Sequence, residues 1–311
     1  MIDTSRITYE HYPLKKVLMH RPGVELSMVG EDTLDYYHFA AVPDADKFLQ
    51  EFDGLVAALE EMGTEVLLVD EILQDDAEAL AYVAKRPNMV FTRDLGVVTP
   101  KGGVLLGMAL DGRKGDPAVI GWAWKKLGLP IQGELEPNGI LEGGGITYFN
   151  GDTVIVGRCS RTIPVGLQRI KAYMQQAGLK RMVTLPCYPD EIHIDGILVF
   201  IDRDLAIAYP PGLDFAPAII KDLETGEVRE QMILDFLATE GVETILIDKE
   251  ERDAAAANWV MTAPRQIVGY EWAERVMNEV EKRGGKAIGV PGTELIKGNG
   301  GPHCMTCPLE R

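Results

Sequence analysis

Cysteine, positive charge and long apolar runs are all scarce in this chain of 311 residues. Four cysteines are too few for a disulfide framework. No apolar run reaches the roughly 20 residues that a transmembrane helix needs. The N-terminus also lacks the basic and apolar stretches of a secretory signal. We therefore expect a reduced, cytoplasmic protein.

The formal net charge of −17 limits the class of partner. Nucleic acids and anionic membrane surfaces attract basic proteins, so we expect neither as a partner. An acidic cleft would attract and steer a small cationic substrate, although solubility alone explains the acidity equally well. The content of 46% hydrophobic and 25% charged residues is that of an ordinary globular protein.

A pattern of two β-rich runs around a turn, an amphipathic helix and a third strand recurs along the chain. The predicted strand pairs are Met89–Thr92 with Val104–Gly107, Ile146–Phe149 with Thr153–Val156, Ile197–Ile201 with Leu205–Tyr209, and Trp259–Thr262 with Gln266–Tyr270. The predicted helices are Ala45–Met62, Pro164–Gln176, Arg229–Thr239 and Tyr270–Arg283. The predicted third strands are Thr64–Val69, Met182–Leu185, Glu243–Ile247 and Lys286–Val290, and the N-terminal unit begins with Leu14–His20.

The pattern gives five units, each too small to bury its own helix and sheet. We predict that the units close on one another as a single α/β domain, residues 1–311, with pseudo-fivefold ββαβ units around a central channel. An ordinary mixed α/β domain is the alternative. No linker, low-complexity stretch or long charge run divides the chain.

Two carboxylates stand at the edges of these units. Asp94 follows the apolar run Met89–Phe91, where it points into a cleft or simply caps a turn. Glu142 precedes three glycines that would let a loop approach a ligand, unless the glutamate is merely solvated. A phosphate loop is not indicated, because no Lys-Ser or Lys-Thr follows the glycines and the next element is a strand.

His193 and Asp195 lie two residues apart and would face the same side of an extended segment. A histidine beside a carboxylate is the usual partner for general acid–base catalysis. A structural, hydrogen-bonded histidine is the alternative. The pair also fits a metal site, which we discount because no second histidine lies at metal-ligand spacing.

Cys304 follows a glycine turn in Gly-Asn-Gly-Gly-Pro-His-Cys-Met-Thr-Cys-Pro, which runs from Gly298 to Pro308. A thiol that attacks carbon needs such an opening and a base from elsewhere in the chain. The spacing of Cys304 and Cys307 also suggests a zinc or redox pair. Cys159 and Cys187 form no second pair of that spacing, and the motif ends the chain instead of opening a helix, so we disfavour both.

Together these residues are a thiol, an imidazole and three carboxylates, each at the edge of a unit. Cysteine with histidine indicates nucleophilic catalysis. Several carboxylates suit a substrate with delocalised positive charge and many N–H donors, and a guanidinium fits because its planar fork matches carboxylates.

These motifs resemble the guanidino-group-modifying enzymes, most closely arginine deiminase. Pro-Asn-x-x-Phe-Thr-Arg-Asp, Glu-Gly-Gly, His-Ile-Asp and the C-terminal motif occur in that family's order over nearly the whole chain. The resemblance implies a five-bladed α/β propeller, the pentein fold, with no metal or organic cofactor. It also implies hydrolysis of a guanidino group to a ureido product and ammonia through a covalent cysteine intermediate.

The resemblance assigns a role to each matching residue. Cys304 is the expected nucleophile and His193 the general acid and base. Asp94 and Asp195 are expected to hold the guanidinium, while Glu142 contacts it and orients His193. The amino-acid end of the substrate is expected at Asn88, Arg113 and Arg161.

Two features depart from the family pattern. The family usually has aspartate after Glu-Gly-Gly, and this chain has Gly145, so one acidic group is missing. The chain also lacks the helical insertion of bacterial arginine deiminases between Gly107 and Glu142, and an assembly of several copies is left open.

Three other functions compete with hydrolysis. An amidinotransferase would pass the amidino group from arginine to an acceptor amine, but such relatives usually carry a bulky aromatic residue where this chain has Met305. An arginine dihydrolase would continue to ornithine. A non-catalytic binding protein is disfavoured because the thiol, the imidazole and the carboxylates are all intact.

Overall fold

The structure, a computed structural model, describes residues 2–311 as a mixed α/β fold. The strands, β1 to β17 in chain order, are Lys16–Met19, Glu65–Leu68, Gly96–Thr99, Gly102–Leu105, Ile131–Glu134, Ile146–Phe149, Thr153–Arg158, Arg181–Pro186, Leu198–Asp202, Leu205–Ala208, Ala218–Asp222, Val228–Gln231, Glu243–Leu246, Val260–Ala263, Gln266–Tyr270, Lys286–Val290 and Cys307–Glu310. The α-helices, α1 to α10, are Leu34–Tyr37, Ala45–Glu61, Val69–Ile72, Ala77–Val83, Pro117–Lys126, Pro164–Gln176, Pro210–Leu213, Ile233–Thr239, Lys249–Asp253 and Glu274–Lys282.

Within residues 2–311 the strands form five sheets that share one pattern. Each sheet contains an antiparallel pair and a further strand parallel to the second member of that pair. A parallel third strand requires a crossover, and a helix lies in each one. The five predicted strand-strand-helix-strand units are therefore present. Their strand orders are β17-β1-β2, β3-β4-β5, β12-β11-β8-β7-β6, β13-β10-β9 and β14-β15-β16.

The two ends of the chain build one sheet together. Strand β17 pairs antiparallel with β1, with Lys16 opposite Glu310. The first unit thus takes its missing strand from the C-terminus. This pairing brings the segment that contains Cys304 back against the N-terminal strand.

The helix α2 shows how the repeated pattern builds a core. Phe48, Phe52, Leu55 and Leu59 recur every three or four residues and are completely buried. Asp44 caps the helix by accepting a hydrogen bond from the backbone N–H of Lys47. The predicted helix differs by one residue from the observed Ala45–Glu61, and the prediction for Pro164–Gln176 is confirmed at both ends.

The predicted strand Met89–Thr92 is wrong. This run lies in two 3-10 turns, Pro87–Val90 and Thr92–Leu95, and the strand begins only at Gly96. Its apolar side chains lie in turns and still pack into the core. An apolar run of this length therefore does not distinguish a strand from a buried turn. The partner strand is Gly102–Leu105, earlier than the predicted Val104–Gly107.

Two predicted helices begin too early, and six of the ten α-helices within residues 2–311 were not predicted, of which α5 is the longest. Val228–Gln231 forms β12, an exposed strand paired with β11, so α8 begins only at Ile233. Tyr270 ends β15 and α10 begins at Glu274. Helix α5 at Pro117–Lys126 supplies the crossover of the second unit. Among residues 2–311, no helix combines the length and apolarity needed to cross a bilayer.

The contact between Gly103 and Trp124 of α5 allows the packing of the second unit to be tested. A Cβ at Gly103 would lie 2.2 Å from the Trp124 ring, which is completely buried. We expect Gly103→Ala to lower the free energy of unfolding in urea by about 1–3 kcal/mol, because the ring must move within a close-packed core.

The matched control is Gly54→Ala in α2, where a new Cβ meets nothing within 4 Å. This change should raise the free energy of unfolding by about 0.5–1 kcal/mol, since alanine favours a helix more than glycine does. Equal effects of the two substitutions would contradict the described packing of Trp124.

Candidate active site

One cavity of about 480 Å³ collects most of the residues that the sequence singled out. Its lining includes Asn88, Asp94, Arg113, Arg161, His193, Asp195 and Cys304. Glu142 lies just behind this lining, fully buried and hydrogen-bonded to His193. The structure therefore brings all eight predicted residues together.

The repeated fold explains this convergence. Asp94 lies just before β3, Glu142 just before β6, and Asp195 just before β9, each of which is the first strand of an antiparallel pair. Cys304 precedes β17, which has the same place in the first unit. Equivalent edges of four sheets thus direct their side chains to one cavity.

His193 is in direct hydrogen-bond contact with Glu142. Nε2 of His193 lies 2.8 Å from Oε2 of Glu142, and Nδ1 lies 3.6 Å from Oδ1 of Asp94. Burial alone would lower the pKa of His193, but the charge of Asp94 and the hydrogen bond to Glu142 outweigh it, and the pKa lies above the ordinary value. Both carboxylates therefore favour the protonated imidazole.

Glu142 is ionised although it is completely buried. Burial favours its neutral form, but His193, Arg113 and Arg161 together keep the pKa of Glu142 far below its usual range. Nη1 of Arg161 donates to Oε2 at 3.1 Å, and the backbone N–H of Ala109 donates to Oε1 at 2.9 Å. These bonds fix the carboxylate that orients the imidazole.

Asp94 is paired with a buried arginine. Nη1 of Arg113 donates to Oδ2 of Asp94 at 2.5 Å, and Nη2 donates to the Phe91 carbonyl at 3.2 Å. Oδ1 of Asp94 accepts from the backbone N–H of Gly144 at 3.3 Å. The Arg113 guanidinium is thus committed to Asp94 and to the backbone around it.

Cys304 lies against a carboxylate. Its Sγ is 3.4 Å from Oδ2 of Asp195, which also accepts a hydrogen bond from Nδ1 of His303 at 2.9 Å. Burial, followed by the charges of Asp195 and Asp94, raises the pKa of the Cys304 thiol well above its ordinary value. Burial and the neighbouring carboxylates therefore favour the neutral thiol.

The glycines after Glu142 have separate consequences. A Cβ at Gly144 would lie 2.6 Å from Nδ1 of His193, so only glycine lets this turn pass the imidazole. A Cβ at Gly145 would meet only Leu141, at an ordinary 3.5 Å. The acid that the family usually has at position 145 is absent here, yet the contacts of His193 with Glu142 and Asp94 are in place.

Oxygen or nitrogen atoms of Asp94, Glu142 and His193 lie within 4.8 Å of one another, as metal ligands would. Arg113 and Arg161 already pair with the two carboxylates, and a bound cation would compete with both arginines. The absence of a metal cofactor stays a prediction.

The sequence reasoning missed Asn258 and gave no role to His303, although His303 stands next to Cys304 in the C-terminal motif. Asn258 contacts the sulfur of Cys304, and His303 contacts Asp195. The flanking sequence Ala-Ala-Asn-Trp carries no distinctive signature. The available signal was position, because Asn258 lies just before β14, the first strand of the remaining unit.

Comparisons with known proteins match the chain to arginine deiminases over nearly its whole length. The chain is 21% identical to the arginine deiminase of Rhodococcus erythropolis over 96% of this chain and 95% of the relative. It is 22% identical to the arginine deiminase of Mycobacterium marinum over 100% of this chain and 99% of the relative.

Two solved structures share the fold. A dimethylarginine dimethylaminohydrolase from Pseudomonas aeruginosa, a cysteine-to-serine variant complexed with citrulline, superposes with a TM-score of 0.71 at 17% identity, covering 95% of this chain and 99% of that one. The N-terminal domain of ArgZ, an arginine dihydrolase of cyanobacteria, was solved as a cysteine-to-serine variant bound to substrate. It gives a TM-score of 0.73 at 17% identity, covering 95% of this chain and 98% of that one.

The family model for arginine deiminase matches residues 73–311, which is well over half of the chain and includes every predicted site residue. The resemblance predicted from the sequence is confirmed, and the chain belongs to the arginine deiminase family.

Proposed function

We propose that this chain hydrolyses the guanidino group of arginine or a related guanidino compound to a ureido product and ammonia. The observation that carries the proposal is the buried thiol of Cys304, which shares one cavity with an imidazole and carboxylates. Membership of the arginine deiminase family supports the same reaction.

The carboxylates would hold the planar cation. Oδ2 of Asp94 is occupied by Arg113, so Oδ1, which faces His193, is the oxygen that we assign to the substrate. Oδ2 of Asp195 lies beside the sulfur and would hold the guanidinium carbon within reach of it. Glu142 keeps the imidazole in place and adds negative charge behind it.

The bound cation would also activate the nucleophile. Burial and the charges of Asp195 and Asp94 disfavour the thiolate and raise the pKa of the thiol. A guanidinium between Asp94 and Asp195 would offset their negative charge and lower the thiol pKa. Binding and activation are thus coupled, and the thiol loses its proton to solvent when there is a carbon to attack.

The reaction proceeds in two halves. The thiolate attacks the guanidinium carbon to form a C–S bond, His193 gives its proton to the departing nitrogen, and ammonia leaves. An amidino-thioether stays on Cys304. Water then attacks the same carbon and gives one proton to His193. The C–S bond breaks to release the thiolate, and the second proton of the water is lost to solvent as the neutral ureido product leaves.

The other end of the substrate would lie towards Asn88 and Arg161. Nδ2 of Asn88 donates to the Tyr37 carbonyl at 2.8 Å, while its buried Oδ1 has no partner within residues 2–311. A free acceptor suits the ammonium group of an amino acid. Arg161 lines the cavity and binds Glu142 through one nitrogen only, so we assign the substrate carboxylate to Arg161 ahead of the enclosed Arg113.

Three finer expectations are part of the proposal. The five sheets of equal pattern support a five-bladed α/β propeller of the pentein type whose blades surround a channel. The single domain over residues 1–311 and the cytoplasmic location stay predictions. Assembly of several copies also stays open.

A dihydrolase outcome is the second candidate. The structure of ArgZ, an arginine dihydrolase, shares this fold at a TM-score of 0.73. Such an enzyme would carry arginine on to ornithine, and the amidinotransferase would give ornithine and a new guanidino compound. Identification of the products from arginine, with and without glycine, separates all three reactions.

The nucleophile makes the first prediction from this function. Cys304→Ala should lower ureido formation from the preferred guanidino compound at least about a thousandfold, because no covalent intermediate can form. The matched control is Cys307→Ala, three residues along the same motif, which removes a buried thiol away from the cavity. Near wild-type turnover in Cys304→Ala would contradict the mechanism.

The His193–Glu142 pair makes the second prediction. Glu142→Gln should lower the pKa of His193 by at least about one unit, since it removes an opposite charge in hydrogen-bond contact. NMR titration of the imidazole, assigned with His193→Gln, measures this shift. The control Glu191→Gln changes a glutamate on the same loop that pairs with Arg252 instead.

The sign of the linked stability follows from the raised pKa of His193. Its contribution to folding is fully present below the unfolded pKa of about 6.5 and is lost as pH rises through the folded pKa. Glu142→Gln should weaken this pH dependence. A wild-type His193 that titrates at the ordinary value would contradict the described pair.

A further inference from the structure

The remaining unit also directs a side chain into the cavity. Asn258 lies just before β14, the position that Asp94 has before β3 and Cys304 has before β17. It is buried, and it lines the cavity together with the catalytic candidates. Four units place a charged or nucleophilic group at this position, and the fifth places a neutral amide there.

The amide of Asn258 is bonded on both sides. Nδ2 donates to Sγ of Cys304 at 3.1 Å, and Oδ1 accepts from the backbone N–H of Cys304 at 3.3 Å. The backbone N–H can only donate, so the side-chain oxygen must face it and the side-chain nitrogen must face the sulfur. Nδ2 also donates to the Asp195 carbonyl at 3.2 Å, which fits the same orientation.

The backbone before Cys304 packs closely against the Asn258 side chain. A Cβ at Gly301 would lie 2.5 Å from Oδ1 of Asn258, so a larger residue there would push the loop and the amide apart. The backbone carbonyl of Asn258 accepts from the N–H of His303 at 3.4 Å. Asn258 therefore contacts the residues on both sides of the peptide bond before the nucleophile.

The negative charge beside the sulfur explains why an N–H donor from Asn258 would matter for the reaction. Oδ2 of Asp195 lies 3.4 Å from Sγ and opposes a negative charge there. An N–H donor stabilises a thiolate more than a thiol, because hydrogen bonds to ionised acceptors are stronger. The amide supplies that donor without adding a positive charge that would repel a cationic substrate.

We propose that Asn258 is a catalytic residue whose side-chain amide donates a hydrogen bond to the Cys304 sulfur as the thiolate forms, and holds that sulfur facing the carbon it attacks. The inference rests on the proposed function for the role of Cys304. The sulfur contact itself does not depend on which guanidino compound is the substrate.

The experiment measures how fast the Cys304 sulfur is alkylated in the absence of substrate. The rate constant for alkylation by iodoacetamide at fixed pH, located at Cys304 by peptide mass spectrometry, falls about tenfold for each unit by which the thiol pKa rises. Asn258→Ala removes the donor, and Asn258→Asp keeps an acceptor for the Cys304 N–H but replaces the donor by a negative oxygen. We expect alkylation about tenfold slower in the first variant and slower still in the second, with kcat falling while KM changes little.

The matched control is Asn299→Asp, which adds the same charge at the cavity, where the asparagine donates to the His38 carbonyl instead of the sulfur. This control should leave alkylation of Cys304 close to the wild-type rate. An unchanged alkylation rate in Asn258→Ala, or a loss of thermal stability with no change in that rate, overturns the proposal. If the Asn258 variants are alkylated more slowly but the wild-type protein converts no guanidino compound, the contact of Asn258 with the sulfur stands. The proposed function is then refuted instead.

Discussion

Buried negative charge is the constraint on which the rest of the site depends. Asp94, Glu142 and Asp195 are each almost fully enclosed, and such carboxylates are costly unless cations and hydrogen bonds compensate them. Arg113 and Arg161 compensate the first two in part, and His303 donates to the third. The compensation stays incomplete beside the sulfur, where burial and the carboxylates raise the pKa of the Cys304 thiol. A cationic ligand would complete it, so the same charges that bind the ligand would also govern the nucleophile.

The fold achieves this concentration of charge by repetition. Each sheet starts an antiparallel pair next to the cavity, and the residues just before that first strand come from turns rather than from the strands themselves. Turns leave backbone N–H groups free to bind carboxylates, as Gly144 does for Asp94 and Ala109 does for Glu142. Different side chains at one repeated position therefore produce a varied site from sheets that share one pattern.

Much of this arrangement could be predicted from the sequence, and the failures have physical causes. Motif order identified Asp94, Glu142, His193 and Cys304 as a set, although the first three each had an ordinary structural alternative when taken alone. Position 258 was missed because asparagine is common in turns and only the repeat marks it. The run Met89–Thr92 was mistaken for a strand because burial in a turn and burial in a sheet leave the same apolar pattern. Strand Val228–Gln231 was missed because it is exposed and polar.

The central claim is that a cation between the carboxylates switches the Cys304 thiol to its reactive form. The most direct measurement compares alkylation of Cys304 by 2-chloroacetamidine, which is cationic, with alkylation by neutral 2-chloroacetamide, relative to the same pair of reactions with a small thiol in solution. The account predicts that the protein favours the cationic reagent at least about tenfold more than the free thiol does, because the carboxylates bind it and its charge lowers the thiol pKa. Equal preference in the protein and in solution would contradict it.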